Sequence, residues 1–311
     1  MWQILIMLFG HFFMPLSLLY LQIKRHYRRQ LDWLLMSLFT GSFCGLFFIA
    51  GLWHWFGPVV RYTIPLLYVG AVGYSFARVR QLPFWKTANP REWFGFIFVG
   101  LMTALLSFLL IWSWRGQSIE KPYLRLAFPL RNGNFYVTEG GDAPVINSMH
   151  TYPDIARKYG VDLVKLGKGG WRAAGLSPSQ LTDYYIFGEP VLSPMNGVVK
   201  AVVDSFPDQV GTNPDTSVFA EYGNRIEIAR GDTVVTLAFL RRGSIVVNPG
   251  DTVSRGDLLA EVGASGDAGE PTLRIFAFLD RDNPPWGWGW GIPMVFGRAF
   301  LYRNFLIADD Q

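Results

Sequence analysis

Cysteine, histidine and charge are the scarce residues of this chain. There is one cysteine, Cys44, inside an apolar run, which excludes an intrachain disulfide framework and any multi-cysteine metal site. The compartment stays open, because envelope proteins need not carry disulfides. Only 17% of the 311 residues are charged, against about 25% in a soluble domain, and this deficit argues against a simple cytosolic enzyme. Acid is scarcest at the start. Residues 1–115 hold 10 Lys and Arg but 2 Asp and Glu, a net of +8, whereas residues 116–311 hold 18 and 22, a net of −4. The overall charge of +4 is therefore set by the first third. Its basic residues sit between apolar runs, so they do not mark a nucleic-acid partner.

Long apolar runs fill that first third, along with eight of the 12 Trp. A hydrocarbon core about 30 Å thick needs roughly 20 apolar residues in a helix. Residues 1–22, 34–55, 59–77 and 93–114 meet this, so residues 1–115 read as a transmembrane domain of about four helices. The third run is the weakest, with Arg61 near its start and Pro65, Gly70 and Gly73 inside; neighbouring helices can satisfy the backbone groups such residues free. The basic cluster Lys24, Arg25, Arg28, Arg29 follows the first run rather than preceding it, so that run reads as a retained helix and not a cleaved signal. Arg78, Arg80, Lys86 and Arg91 follow the third run, and only Arg61 lies between the second and third. Basic loops stay cytoplasmic, which places the N-terminus and everything after Arg115 outside. The expectation is a multi-pass protein of the cytoplasmic (inner) membrane, with the lipid bilayer as partner. Gly41 and Gly45 have the small-x-x-x-small spacing of close helix contact, read here as packing within the bundle. His11 and His54 lie where a proton relay is conceivable, but no acidic residue lies in these runs, so hydrogen-bonded or interfacial histidines are expected and a transporter is not.

After Arg115 glycine, proline and charge rise, and no apolar run reaches spanning length. Asn134–Thr138, Gly197–Asp204, Asn224–Ala229, Thr233–Leu240, Ser244–Val247 and Leu273–Leu279 alternate or are β-branched. Turn signals separate them, among them Arg230-Gly-Asp232 and Pro249-Gly-Asp251. This spacing predicts a compact antiparallel sheet domain over 116–311, with its core at about 130–305, rather than βαβ units. Ser177-Pro-Ser-Gln-Leu181 predicts one short helix, with a serine cap and a proline in the first turn.

In order along the chain, these stretches resemble the lysostaphin-type zinc peptidases, family M23. Phe187–Val202 (FGEPVLSPMNGVVKAV) looks like the family's opening, where Pro-Val precedes Gly-Val-Val. Gly223–Leu240 looks like the segment that ends in Tyr-Ala-His-Leu. Gly243–Gly266 (GSIVVNPGDTVSRGDLLAEVGASG) carries the most specific spacing, a Gly-Ser, a Gly-Asp-x-Val and a Gly-x-Ser-Gly turn. Glu270–Phe278 stands where the family has Pro-His-Leu-His, and Asn147–Leu166 resembles its His…Asp stretch. The resemblance implies an all-β duplicated-hybrid-motif-like domain. Biotinyl and lipoyl carriers share the Val-x-x-Gly-Asp-x-Val turn, but Pro194-Met195-Asn196 at the would-be tip has no lysine.

A catalytic zinc keeps three protein ligands and an open position for water, whose pKa it lowers to about 7. Carried over by position, the resemblance makes His150 and Asp162 remnant ligands. The third ligand position is Arg274, a permanent cation that cannot bind metal. Thr272 replaces the first His of His-x-His, Phe239 the His of Tyr-Ala-His-Leu, and Leu237 its Tyr. His150 is moreover the single histidine after Arg115. The binding cleft is thus expected at His150, Asp162, Phe239, Thr272 and Arg274, with Arg274 meeting Asp162 as a fixed substitute charge. No catalytic residue and no cofactor are expected. The reading is a catalytically degenerate M23-like envelope protein, a non-catalytic binding or regulatory module at the cell wall, with peptidoglycan or another envelope protein as partner. Its alternatives are a zinc metalloendopeptidase acting on peptidoglycan cross-bridges, which would hold zinc, and an assembly adaptor for a membrane complex. Trp286-Gly-Trp288-Gly-Trp290 can stack on sugars, lie at the bilayer interface, or fold back onto the domain.

Overall fold

The computed structural model describes residues 2–87, 89–151, 155–211, 222–280 and 290–308. The chain divides into two compact units, Met1–Trp114 and Arg115–Gln311.

The first unit is helical. Trp2–Leu8, a π-helical turn Phe9–Phe13 and Met14–Lys24 follow one another without a break, and Gln30–Ala50, Thr63–Val79 and Pro90–Arg115 come after. Among the described residues three stretches are long and apolar enough to cross a membrane: Ile4–Lys24, Gln30–Ala50 and Glu92–Arg115. Thr63–Val79 has 17 residues, about 25 Å at 1.5 Å per residue, short of the roughly 30 Å hydrocarbon core. Its start is later than 59 because a 3-10 turn, Val60–Tyr62, precedes it. The second helix runs four residues earlier than its apolar run, since Gln30, Leu31 and Asp32 are helical too and Asp32 lies in the first turn, where an acid suits the helix dipole. It stops at Ala50, because Gly51 and Leu52 leave the helix and the Leu52 N–H donates to His11 Nε2 at 2.8 Å. The last helix begins on a capping box: the Glu92 N–H donates to Asn89 Oδ1 and the Asn89 N–H to Glu92 Oε2, with Pro90 as the first residue.

Polar side chains tie this unit together. The fully buried Gln22 amide donates to Ser37 Oγ (2.7 Å) and Ser75 Oγ (3.2 Å), joining three helices, and Trp33 Nε1 donates to Ser75 Oγ at 2.9 Å. Such bonds between membrane helices contribute about 0.6 kcal/mol each on average. A Cβ on Gly41 would collide with the Tyr68 hydroxyl, and one on Gly45 would press on Leu110, so the small-residue pair serves packing within the unit. His11 is buried and hydrogen-bonded, its Nδ1 2.9 Å from the Met7 carbonyl. Both basic loops meet at one end: the Gln30 N–H donates to the Pro83 carbonyl (3.0 Å) and Arg29 Nη1 to the Lys86 carbonyl (2.6 Å).

The second unit is β-rich. Among the described residues, its main sheet runs in the order Leu306–Ile307, Asn134–Glu139, Val161–Leu166, Leu273–Leu279, Thr233–Ala238, Arg225–Arg230, Gly197–Val203, Thr252–Val253, with Trp290–Gly291 also pairing Leu273–Leu279, all antiparallel. Pro190–Leu192 pairs Leu258–Glu261 separately. Leu124–Leu126 runs parallel to Met294–Phe296, which pairs antiparallel with Ala299–Phe300. The domain is therefore antiparallel except where its two ends meet.

Three local expectations are corrected. Residues 177–181 form no α-helix; a 3-10 turn stands at Leu181–Asp183, because no apolar periodicity follows the serine and proline to pack a longer helix. Ser244–Val247 is not a ladder strand, although the Val246 N–H donates to the Leu259 carbonyl. Val161–Leu166, not expected as a strand, lies in the sheet centre. One face of the sheet is the core: Phe135, Val137, Val161, Leu163, Ile226, Ile228, Val235, Leu237, Leu273 and Ile275 are buried together. Of the three alternating tryptophans, Trp286 and Trp288 lie outside the described residues; Trp290 pairs Leu279 and is exposed.

Candidate functional site

Side chains alternate across a strand, so residues paired in register share a face. Opposite the core face, one row crosses the sheet. Glu139 pairs Asp162, Asp162 pairs Arg274, Arg274 pairs Ala238, and Ala238 pairs Arg225. Five adjacent strands thus bring four charged residues into a line.

At its centre Arg274 meets Asp162 through two parallel bonds, Nε to Oδ1 at 2.8 Å and Nη2 to Oδ2 at 2.7 Å. The side chains are 16% and 8% exposed. Burial by itself lowers the guanidinium's pKa; the Asp162 carboxylate outweighs it and leaves Arg274 above the ordinary arginine value. The guanidinium carbon lies 4.6 Å from the centre of the Phe239 ring, a cation–π geometry. Phe239 reaches this place because its backbone is left-handed (φ +66°) just after the Thr233–Ala238 strand. That conformation costs a non-glycine residue on the order of 1 kcal/mol and is held by bonds from the Phe239 N–H to the Tyr222 carbonyl and from the Gly263 N–H to the Phe239 carbonyl.

The remaining expected site residues separate. Thr272 Oγ1 donates to the Leu163 carbonyl at 2.9 Å, which joins the Leu273–Leu279 strand to its neighbour. His150 lies on the 3-10 turn Ser148–Thr151 and meets Asp142, not Asp162, with Nε2 3.1 Å from Oδ1. Asp142 also accepts from Lys121 Nζ at 2.7 Å. Burial pushes the Asp142 carboxyl up, but the bonds from His150 and Lys121 outweigh it and hold it below the usual range. Asp162, Arg274 and Phe239 therefore form one constellation, and His150 belongs to another.

Several participants were not anticipated. Arg303 pairs Glu139, and the Ser148 N–H donates to Glu139 Oε2. Arg225 and Glu227 stand 3.5 Å apart and are buried. Tyr222 lies against Phe276, ring centres 5.4 Å apart, and Arg157 lies 5.2 Å from the Tyr222 ring centre. Ala156, Tyr222, Phe276 and Phe278 are buried together on this face. The alternation Arg225-Ile-Glu227-Ile already assigns both charges to one face; their neighbours come from distant sequence.

The donors present do not fit a zinc ion. A zinc ligand set needs nitrogen, sulfur or carboxylate donors with free lone pairs, whereas both Asp162 oxygens are engaged by a cation at the position expected for the third ligand. Among the described residues no three His, Cys, Asp or Glu side chains form a group able to hold a metal.

Residues 180–282 match the model of peptidase family M23. That range contains Phe239, Thr272 and Arg274, and leaves His150 and Asp162 upstream. No curated protein matches the chain. Among solved structures it is similar to a putative M23 peptidase from Pseudomonas aeruginosa, at 22% identity over 31% of this chain and 36% of that one, TM-score 0.24. It is also similar to a zinc-containing peptidase from Vibrio cholerae, at 18% over 51% and 38%, TM-score 0.30. A third is lysostaphin from Staphylococcus simulans, at 15% over 54% and 47%, TM-score 0.27. The chain spans less than half the length of each of these relatives.

Proposed function

We propose that the chain is a membrane-anchored, catalytically degenerate M23-like protein whose β unit binds or regulates at the cell wall without cutting it. The observation that carries this reading is the two-bond Arg274–Asp162 pair. It sets a fixed positive charge where the family resemblance calls for a metal ligand, and Phe239 and Thr272 take the places of histidines that would move protons or stabilise an oxyanion. His150 and Asp162 are then remnants, and the sheet face that carries Asp162 and Arg274 engages a segment of peptidoglycan or of another envelope protein. The helical unit sits in the cytoplasmic membrane with its basic loops inside and the N-terminus and β unit outside. The meeting of both basic loops at one end of the unit supports a common side for them, and the bias of Lys and Arg toward the cytoplasm supports which side it is.

The test is the full chain purified in detergent at neutral pH. No stoichiometric zinc by elemental mass spectrometry, and no fragments released from peptidoglycan, are expected. One zinc per chain that disappears in His150→Ala, or any release of peptidoglycan fragments, would overturn the reading.

A further inference from the structure

The first 115 residues contain two acids, Asp32 and Glu92, and both line one cavity of about 330 Å³ at the basic end of the helical unit. Arg25, His26, Arg28 and Arg29 share its wall. Two smaller cavities adjoin it through shared residues. One, of about 170 Å³, adds Arg78 beyond Arg25 and His26; the other, of about 130 Å³, adds Lys86 beyond Arg28, Arg29 and Glu92. Five Lys and Arg side chains thus line three neighbouring cavities that offer two carboxylates.

Those carboxylates are already engaged. Arg29, 4% exposed, donates Nε to Asp32 at 2.8 Å and is wedged against the Trp85 and Phe96 rings. Arg28 donates Nη1 to Glu92 at 2.8 Å from a side chain that is 75% exposed, so it can turn inward. Arg25 has no carboxylate partner among the described residues; its guanidinium lies 5.9 Å from the Tyr27 ring centre. Positive charge is therefore left over at the rim. The floor is apolar, with Leu35, Met36, Phe96 and Val99 from two membrane-length helices. Of the spanning window in Glu92–Arg115 only 6% is buried, against 39% in Gln30–Ala50, so the apolar side of the cavity borders helix surface left for lipid chains.

We propose that this cavity binds the headgroup of an anionic phospholipid, with its phosphate on Arg25 and Arg28 and its acyl chains along the Pro90–Arg115 helix. Surplus cations above an apolar floor between membrane helices match an anion that carries hydrocarbon; an acidic protein segment would match the rim but not the floor. The site is separate from the β unit and does not depend on that unit's function.

The full chain in detergent is offered phosphatidylglycerol or phosphatidylcholine with identical acyl chains, and retained lipid is counted by native mass spectrometry. Phosphatidylglycerol should be held at least roughly fivefold more tightly, the worth of one basic residue near an anionic headgroup. Arg25→Gln with Arg28→Gln should abolish the preference, while Arg80→Gln, outside these cavity walls, should keep it. Gly95→Leu is the second arm. Gly95 lines the cavity, and a Cβ there meets nothing within 4 Å, so a side chain can start there, and leucine adds bulk without changing charge; retention should drop with the thermal midpoint unchanged. Equal retention of both lipids, or full retention in Gly95→Leu, would overturn the proposal, the latter by showing diffuse attraction in place of a site. Displacement of the lipid by inorganic phosphate at millimolar concentration would also overturn it, in favour of a free-anion site.

Discussion

The two faces of the central β sheet share every strand and differ in almost everything else. On one face Leu273, Ile275, Leu237, Val235, Ile226 and Ile228 are fully buried in a continuous apolar core. On the other, the same strands carry Asp162, Arg274, Arg225, Glu227 and Thr236, with Tyr222, Phe276 and Phe278 beside them. The apolar face specifies the fold, since its burial supplies the driving force and fixes the register. The charged face inherits its geometry from that register. A replacement there changes the chemistry on offer and leaves the architecture standing, which is how this sheet can present an ion pair where the family resemblance calls for metal ligands.

The largest effect tests whether the core face underwrites the other. Leu237→Ala, in the fully buried core, should destabilise the β unit by about 3 kcal/mol, within the usual range for such truncations. The check is urea unfolding of the full chain in detergent; a loss below about 1 kcal/mol would deny the core face its role. A smaller effect is expected on the charged face, where the sign of a comparison matters more than its size. Arg274→Ala strands the Asp162 carboxylate and should cost about 2 kcal/mol, scaled down from a fully buried pair because Arg274 is partly exposed. Asp162→Asn with Arg274→Gln removes both charges and should cost less than that single change. The reverse order in the same unfolding assay would show that the pair is not held as a buried unit.

The smallest effect concerns the constellation around Asp142, off the sheet. Asp142 has a folded pKa depressed below its ordinary value. Its ionised form therefore contributes stability above the unfolded value of about 3.9, and the contribution is lost as pH falls through the lower folded value. His150→Ala and Lys121→Met each remove a bond that depresses this pKa. In each variant less stability should remain to be lost on acidification, and the loss should be complete at a higher pH than in the parent. Unfolding midpoints between about pH 2 and 6 report this, and profiles parallel to the parent's would rule it out.

The difference between the faces also explains what could be read from sequence. Alternation and turn residues mark Asn134–Glu139, Gly197–Val203, Arg225–Arg230, Thr233–Ala238 and Leu273–Leu279, because the core face writes a period of two into each. Val161–Leu166 escaped because it is nearly continuously buried, which leaves no alternation to mark it. Contact between Arg274 and Asp162 was legible only through the family resemblance, which assigned both residues to one site. Glu139 and Arg303 came from strands and turns that no local pattern connects. His150 was assigned by the resemblance to the same remnant site as Asp162; its partner is Asp142, eight residues upstream, and the turn that brings them together carries no periodic signal. In the helical unit, three of the four apolar runs coincide with helices long and apolar enough to cross a membrane among the described residues. Thr63–Val79, in the third run, is shorter because the residues before it wind into a 3-10 turn.

The parallel pair that closes the β unit has a mechanical consequence. Tension drawn along the chain from Arg115 would load the Asp142 N–H to Gly116 carbonyl bond and the Lys121–Asp142 ion pair first. Next it would load the three-residue strand Leu124–Leu126 against Met294–Phe296. The large sheet lies downstream of both. A pull on Arg115 would therefore be felt first at Asp142, the residue that holds His150.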